Sequence, residues 1–146
     1  MNPPSVQQQF EEFSQEWQHI VMLYNDYARS VGINYTALQV LRYIAELETC
    51  TQKNICAQSF LPRQTVNTII TGFCKKGYVE LRESAEDHRV KTIHFTKAGK
   101  LYADSISQKL QQAEYQTMAQ LSDAQRTALL AGFHAYARSL QSQLSK

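Results

Sequence analysis

The sequence has no long hydrophobic run, and stretches such as residues 20–23 span only a few apolar positions. Because a membrane-spanning helix needs about 20 apolar residues, we expect no membrane partner. The first nine residues contain no Lys, no Arg and no apolar segment, so a secretory signal is not expected. Cysteine is also scarce, with three residues and no close pairing, which favours a reducing compartment. We therefore predict a cytoplasmic protein.

Motifs of the common catalytic and metal sites are missing. The four histidines are dispersed, without ligand spacing among themselves or with cysteine. No Gly-x-Ser-x-Gly nucleophile elbow, phosphate loop or helical His-Glu pair occurs. The sequence therefore predicts no enzyme, no cofactor and no metal site.

What is present is a globular composition with an uneven charge distribution. The 146 residues are 43% hydrophobic and 19% charged, which predicts a single folded domain over residues 1–146. Residues 51–100 hold nine basic against four acidic side chains, whereas the whole chain carries only +2. A basic centre that follows an acidic N-terminal part, residues 1–50, indicates a polyanion-binding unit, although ordinary scatter of surface charge is the alternative.

The spacing of apolar residues predicts a mainly α-helical chain with one small β-hairpin. Steps of three and four indicate helices, and alternation indicates strands. The expected order is helices at about 6–30, 36–48, 52–59 and 63–76, strands at 78–83 and 89–96, and helices at 97–118 and after residue 122. Thr36, Thr51 and Ser122 are the expected N-caps. Short helices followed by a hairpin describe a winged helix-turn-helix, at about residues 36–96.

The fourth helix has two contrasting faces. Val66, Ile69, Ile70 and Phe73 cluster on one face, while the opposite face holds amides, hydroxyls and one ammonium but no acid. Solvated helices usually mix Glu with Lys, whereas Gln, Asn and Thr are residue types that contact base edges. We interpret this helix as a DNA-reading helix, and a helical pair that only packs is the alternative.

The tip of the hairpin carries a possible groove-binding arginine. Arg89 follows Asp87 by two residues, and a carboxylate at that distance can orient a guanidinium. An arginine on a loop can enter a narrow minor groove, where the negative potential is enhanced. A solvated surface turn is the alternative for this segment.

Three segments together resemble the MarR (multiple antibiotic resistance regulator) family. Residues 87–99 are similar to its wing signature, which has Asp-x-Arg, a strand and then Thr-x-x-Gly. Residues 61–66 and 75–79 are similar to its recognition helix and to the exit of that helix into the wing. The helix order also fits, so the resemblance covers nearly the whole chain. It implies a dimeric bacterial or archaeal transcriptional regulator, usually a repressor.

The resemblance also assigns roles to individual residues. It implies that Gln64, Thr65, Asn67 and Thr68 enter the major groove and that Arg89 enters the minor groove. Many members carry Arg where this chain has Thr68, so the base recognised there is expected to differ. A small-molecule effector often binds between the dimer helices and the reading head in this family, and the candidate lining residues are Tyr24, Tyr27 and Tyr43. A role for each tyrosine in the core is the alternative.

The long terminal helices suggest that two copies assemble. A helix of about 25 residues is roughly 37 Å long, which exceeds what the small winged core can cover. Its apolar stripe and that of the last helix need another surface, which twofold symmetry would supply. The expected dimerisation residues are Phe10, Phe13, Trp17, Phe133, Leu140 and Leu144, on helices at about 6–31 and 97–146. Packing of the two helices within one chain is the alternative.

The sequence thus predicts a homodimeric winged helix-turn-helix regulator, a repressor that a small-molecule effector relieves. Its expected partner is double-stranded DNA with a palindromic operator. The alternative function is a dimeric ligand- or protein-binding module that has lost DNA binding. The expected DNA contacts are Thr51, Gln52, Arg63, Gln64, Thr65, Asn67, Thr68, Thr71, Lys75, Asp87, Arg89 and Lys91. The three cysteines are expected to be small buried thiols.

Overall fold

The computed structural model describes residues 2–146 and contains six helices and one hairpin within them. The elements are α1 (Val6–Ser30), α2 (Tyr35–Glu46), α3 (Gln52–Ser59), α4 (Arg63–Lys75), β1 (Val79–Glu83), β2 (Lys91–Phe95), α5 (Lys97–Gln120) and α6 (Asp123–Leu144). The predicted fold class is confirmed: the chain is mainly α-helical, with a two-stranded antiparallel wing. Among residues 2–146, no helix is long and apolar enough to cross a membrane.

Helix boundaries follow local capping chemistry. Ser5 caps α1 and Ser122 caps α6, each in a reciprocal capping box with a glutamine three residues later. Thr51 caps α3, as predicted, by accepting from the backbone N–H of Asn54. The predicted cap of α2 is wrong. Asn34 supplies it, because its Oδ1 accepts from the Ala37 N–H at 2.8 Å while Thr36 lies inside the first turn.

The described chain divides into two compact units, one ending at Ile106 and the other comprising Ser107–Lys146. In the first unit, α2 packs against α3, α4 and β2. The largest fully buried side chains of the protein lie in this unit, namely Leu38, Val40, Leu41, Ile55 and Val66. Burial of such branched aliphatic side chains stabilises the fold by about 1.5–3 kcal/mol each, so this cluster positions α3, α4 and the wing.

The second unit contains the end of α5 and all of α6. Its corner is held by Arg126, whose guanidinium contacts the Asp123 carboxylate and the backbone carbonyls of Met118 and Leu121. Among the residues of α6, none is buried. This helix therefore contributes surface to the chain rather than core.

Candidate nucleic-acid interface

The outward face of α4 carries only uncharged polar groups and cations. Val66, Ile70 and Phe73 are buried on the inner face, as the helical periodicity predicts, whereas Ile69 is only half-buried. The outward set lies exposed or half-buried on the other side: Arg63, Gln64, Thr65, Asn67, Thr68, Thr71 and Lys75. Gly77, at φ 77°, then ends the helical segment in the left-handed region that suits glycine. The core face therefore fixes the helix while these side chains remain available to a partner.

Three of the predicted contact residues in the helix-turn-helix also make internal hydrogen bonds. Thr51 Oγ1 accepts from Asn54 N–H at 3.1 Å, and Gln52 Nε2 donates to the Arg63 carbonyl at 3.0 Å. Gln52 thus ties the start of α3 to the start of α4. Thr68 Oγ1 donates to the Gln64 carbonyl at 3.0 Å, which leaves its lone pairs and its methyl group to face outward.

Charge is concentrated in the helix-turn-helix rather than in the wing. Residues 49–79 contain the cations Lys53, Arg63, Lys75 and Lys76 and no Asp or Glu. The hairpin, residues 79–95, instead holds four carboxylates against three Lys or Arg side chains. An acid-free surface with four cations attracts a polyanion, whereas the hairpin has no net positive charge at neutral pH.

Asp87 holds Arg89 at the wing tip through two parallel contacts. Arg89 Nε lies 3.2 Å from Oδ1 of Asp87, and Arg89 Nη2 lies 3.2 Å from Oδ2. Asp87 Oδ1 also accepts from the Arg89 backbone N–H at 3.0 Å. Hydrogen bonds from the Arg89 side chain and backbone lower the pKa of the Asp87 carboxyl. The Arg89 side chain is 90% exposed, so the guanidinium is oriented and still accessible.

Lys91, in contrast, is paired across the hairpin. The strand register places Lys91 opposite Glu83, and Lys91 Nζ donates to Glu83 Oε1 at 3.2 Å. The second oxygen of Glu83 lies 3.2 Å from Nδ1 of His88. The hydrogen bond from Lys91 is the largest cause of the lowered pKa of Glu83. Lys91 would have to leave this partner to contact a phosphate.

Backbone contacts connect the wing to the segment before α3. The Ile93 N–H donates to the Cys50 carbonyl at 2.8 Å, and Thr51 forms a bridge with Thr92. Cys50 and Thr92 were not expected to position the wing, since the pairing joins residues about 40 apart in sequence. The only sequence feature that could have indicated this pairing was the short β-like segment between α2 and α3. These contacts hold the wing against the helix-turn-helix.

The winged helix-turn-helix, with an Asp-Arg pair at its tip, is similar to a known family. Residues 31–90 match the sequence model of the MarR family. The chain is therefore similar to MarR family proteins over this segment. No curated protein sequence matches it.

Solved MarR structures share the fold over nearly the full length. A MarR family regulator from Neisseria meningitidis is 26% identical with a TM-score of 0.79, covering 99% of this chain and 98% of that chain. FabT of Streptococcus pneumoniae, solved in complex with DNA, is 18% identical with a TM-score of 0.76, covering 95% and 99%. A Staphylococcus aureus MarR in complex with salicylate and kanamycin is 18% identical with a TM-score of 0.71, covering 93% and 92%.

Helix α1 of the first unit carries a row of aromatic rings. The ring centroids of Phe10 and Phe13 lie 6.4 Å apart, and those of Phe13 and Trp17 lie 6.1 Å apart. Phe10 and Trp17 are about half exposed. In the second unit, α6 exposes apolar side chains along its length, among them Phe133, Leu140 and Leu144.

The three predicted effector tyrosines have separate partners. Tyr27 donates to the Ile106 carbonyl at 2.6 Å, and burial raises the pKa of its phenol. Tyr43 donates to the Gln58 carbonyl at 3.2 Å, and the ring of Tyr24 stacks on Tyr35 at 5.2 Å. An open groove of about 550 Å³ lies beside this stack, lined by Asn25, Asn34, Tyr35, Thr36, Pro62, Gln64, Thr65, Thr68 and Ile69. Sequence spacing did not indicate this groove, because it joins the α1–α2 corner to α4.

The three cysteines are free thiols, and only Cys50 is fully buried. Burial raises the pKa of the Cys50 thiol to about 11, which keeps it protonated and unreactive at neutral pH. Cys56 and Cys74 are half-buried rather than buried as expected. Over the described part of the chain, no cluster of three or more His, Cys, Asp or Glu side chains forms a potential metal site.

Proposed function

We propose that this chain is a homodimeric, sequence-specific DNA-binding transcription regulator of the MarR family, a repressor that a small-molecule effector releases from its operator. The observation that carries the proposal is the acid-free helix-turn-helix, with the amide and hydroxyl face of α4 turned outward. Gln and Asn can make two hydrogen bonds to adenine, and Thr can contact a thymine methyl group. Gln64, Thr65, Asn67, Thr68 and Thr71 are the proposed base contacts.

The cations supply affinity that does not depend on sequence. Arg63 and Lys75 are proposed to contact DNA phosphates at the two ends of α4. Thr51 and Gln52, at the start of α3, are proposed to contact the same DNA backbone. In the wing, Arg89 is proposed to enter the minor groove while Asp87 holds its guanidinium. Lys91 is proposed to contact a phosphate after it breaks its bond to Glu83. It should therefore contribute less to DNA affinity than the other cations.

The apolar faces of the terminal helices support the dimer. A helix of 25 residues with half-exposed aromatic rings buries them most economically against a second copy. Phe10, Phe13 and Trp17 on α1, with Phe133, Leu140 and Leu144 on α6, are the proposed contacts. Twofold symmetry would then present two reading helices to a palindromic operator.

The effector is proposed to act at the junction of α1, α2 and α4. Tyr24, Tyr27 and Tyr43 remain the proposed aromatic contacts, and the stack of Tyr24 on Tyr35 leads into the groove beside Gln64 and Thr68. A relative solved with salicylate supports an aromatic ligand. A ligand in the groove would compete with DNA for the side chains of α4.

Selection from random duplexes with the purified full-length protein tests the proposal. The selected operator should be palindromic, and its affinity should depend steeply on salt. If the four cations of each subunit all contact phosphates, the slope of log affinity against log salt is roughly −7, or about 10⁴-fold between 50 and 200 mM. A metabolite panel added to the bound complex then identifies the releasing ligand. Failure to enrich any duplex, with a flat salt response, would favour the module that has lost DNA binding.

A further inference from the structure

The turn between α3 and α4 contains a strained and exposed aromatic residue. Phe60 is the only non-glycine residue with positive φ in residues 2–146, at φ 60° and ψ 16°. Its side chain is 91% exposed, more than any other large hydrophobic residue of the described chain. A bulky side chain at a left-handed position is unusual, and glycine or asparagine would close the same cap with less strain.

Packing within the chain does not account for this residue, because a side chain exposed to this extent contributes little buried area. The backbone around it is nevertheless fixed. The Phe60 N–H donates to the Cys56 carbonyl at 3.0 Å, and the Leu61 N–H donates to Ser59 Oγ at 3.1 Å. The ring is therefore presented to solvent from a rigid turn that ends at Pro62, immediately before α4. Strain retained without a packing gain points to a function outside the chain.

We propose that the ring of Phe60 contacts the C5-methyl group of a thymine at the edge of the major groove, next to the bases read by α4. This inference rests on the proposed DNA-binding function. The helices on both sides of the turn contain Lys53 and Arg63 and no acidic residue. A polyanion is therefore a better partner for this surface than a protein of mixed surface charge. Phenylalanine cannot bond a phosphate, and the thymine methyl is the apolar feature of the major groove.

Exchange of thymine for deoxyuridine tests this contact on the operator selected with the wild-type protein. Deoxyuridine lacks only the methyl group. At one thymine in each half-site, the exchange removes two methyl contacts of the dimer and should weaken wild-type binding by about 16-fold, or about fourfold for each contact. Phe60→Asn, which suits the left-handed turn, should lose the same factor and become insensitive to deoxyuridine. Phe60→Tyr keeps the ring and should match the wild type.

Thermal unfolding separates a structural role from this contact. Phe60→Asn should melt no lower than the wild type, because little packing is lost and the turn is relieved. Unchanged operator affinity in Phe60→Asn would overturn the contact while DNA binding stands. The contact would also be overturned if deoxyuridine weakened Phe60→Asn binding by the same factor as wild-type binding. A shift of Phe60→Asn from dimer to monomer in sedimentation would assign the ring to a protein interface instead. If the wild type selects no duplex, the proposed function fails and this inference fails with it.

Discussion

Gly99 lies so close to the backbone of Tyr78 that a Cβ atom on residue 99 would be 1.7 Å from the Tyr78 carbonyl oxygen. The same corner is closed by Thr96, whose hydroxyl accepts from the Gly99 N–H at 3.0 Å and donates to the Gly77 carbonyl at 2.6 Å. The Thr96 N–H adds a bond to the Tyr78 carbonyl at 3.0 Å. The Thr-x-x-Gly part of the wing signature therefore joins the end of the wing to α5 by close packing.

Gly99→Ala should destabilise the protein by about 3 kcal/mol or more, because the clash is with backbone and cannot be relieved by a rotamer change. Chemical denaturation of the purified variant measures this loss. Gly72→Ala is the matched control, since nothing lies within 4 Å of an added Cβ there. That change should be neutral or stabilise the helix by up to about 1 kcal/mol. Equal stability of the two variants would contradict the packing argument.

Arg89→Ala should lower operator affinity most where the flanking sequence is A·T-rich and the minor groove is narrow. Binding titrations against operators that differ only in their flanks measure this preference. Arg89→Lys should restore only part of the affinity, because an ammonium loses more hydration on entering the groove than a guanidinium. Equal losses on A·T-rich and G·C-rich flanks would make Arg89 a simple phosphate contact.

The same substitution should change the titration of the wing tip. Arg89 lowers the pKa of Asp87, so the ion pair is intact at neutral pH and is lost as the pH falls through that lowered pKa. In Arg89→Ala the pKa of Asp87 should rise towards its ordinary value, which side-chain carboxyl NMR would detect. An unchanged Asp87 titration would mean that the pair is not formed in solution.

Gln64→Ala should relax the base preference at one position of each half-site by about 1–3 kcal/mol. Lys75→Ala should instead weaken all sequences about equally and reduce the salt slope of the dimer by roughly 2. Parallel selections and salt titrations with the two variants distinguish these effects. If neither base preference nor affinity changes, the outward face of α4 is not the reading surface.

Trp17→Glu and Leu140→Glu should each weaken assembly and operator binding together, because a buried carboxylate opposes an apolar interface. The wild type should sediment as a dimer at about 33 kDa, twice the chain mass of 16.7 kDa. Gln15→Glu, on the opposite side of α1 from Trp17, adds the same charge at an exposed position and should leave the dimer intact. A monomer that binds a palindromic operator tightly would contradict the dimer.

Local sequence signals predicted much of the fold. The inner face of α4 followed from the spacing of Val66, Ile70 and Phe73, since helical periodicity and burial coincide there. Ser122 and Thr51 were identified as caps because a cap bonds only its own first turn. Asn34 was missed in favour of Thr36, as two competent capping residues lie close together and only the backbone geometry distinguishes them.

Contacts between distant residues were decided only by the tertiary structure. The periodicity of α3 did not indicate that Gln52 would donate to the backbone at the start of α4. The hairpin pattern did not indicate that Lys91 would form an ion pair with Glu83. The left-handed conformation of Phe60 at the end of α3 was likewise visible only in the structure. Residue types and spacings encode helices, caps and faces because these interactions are local. Pairings, strain and exposure depend on which surfaces the core brings together.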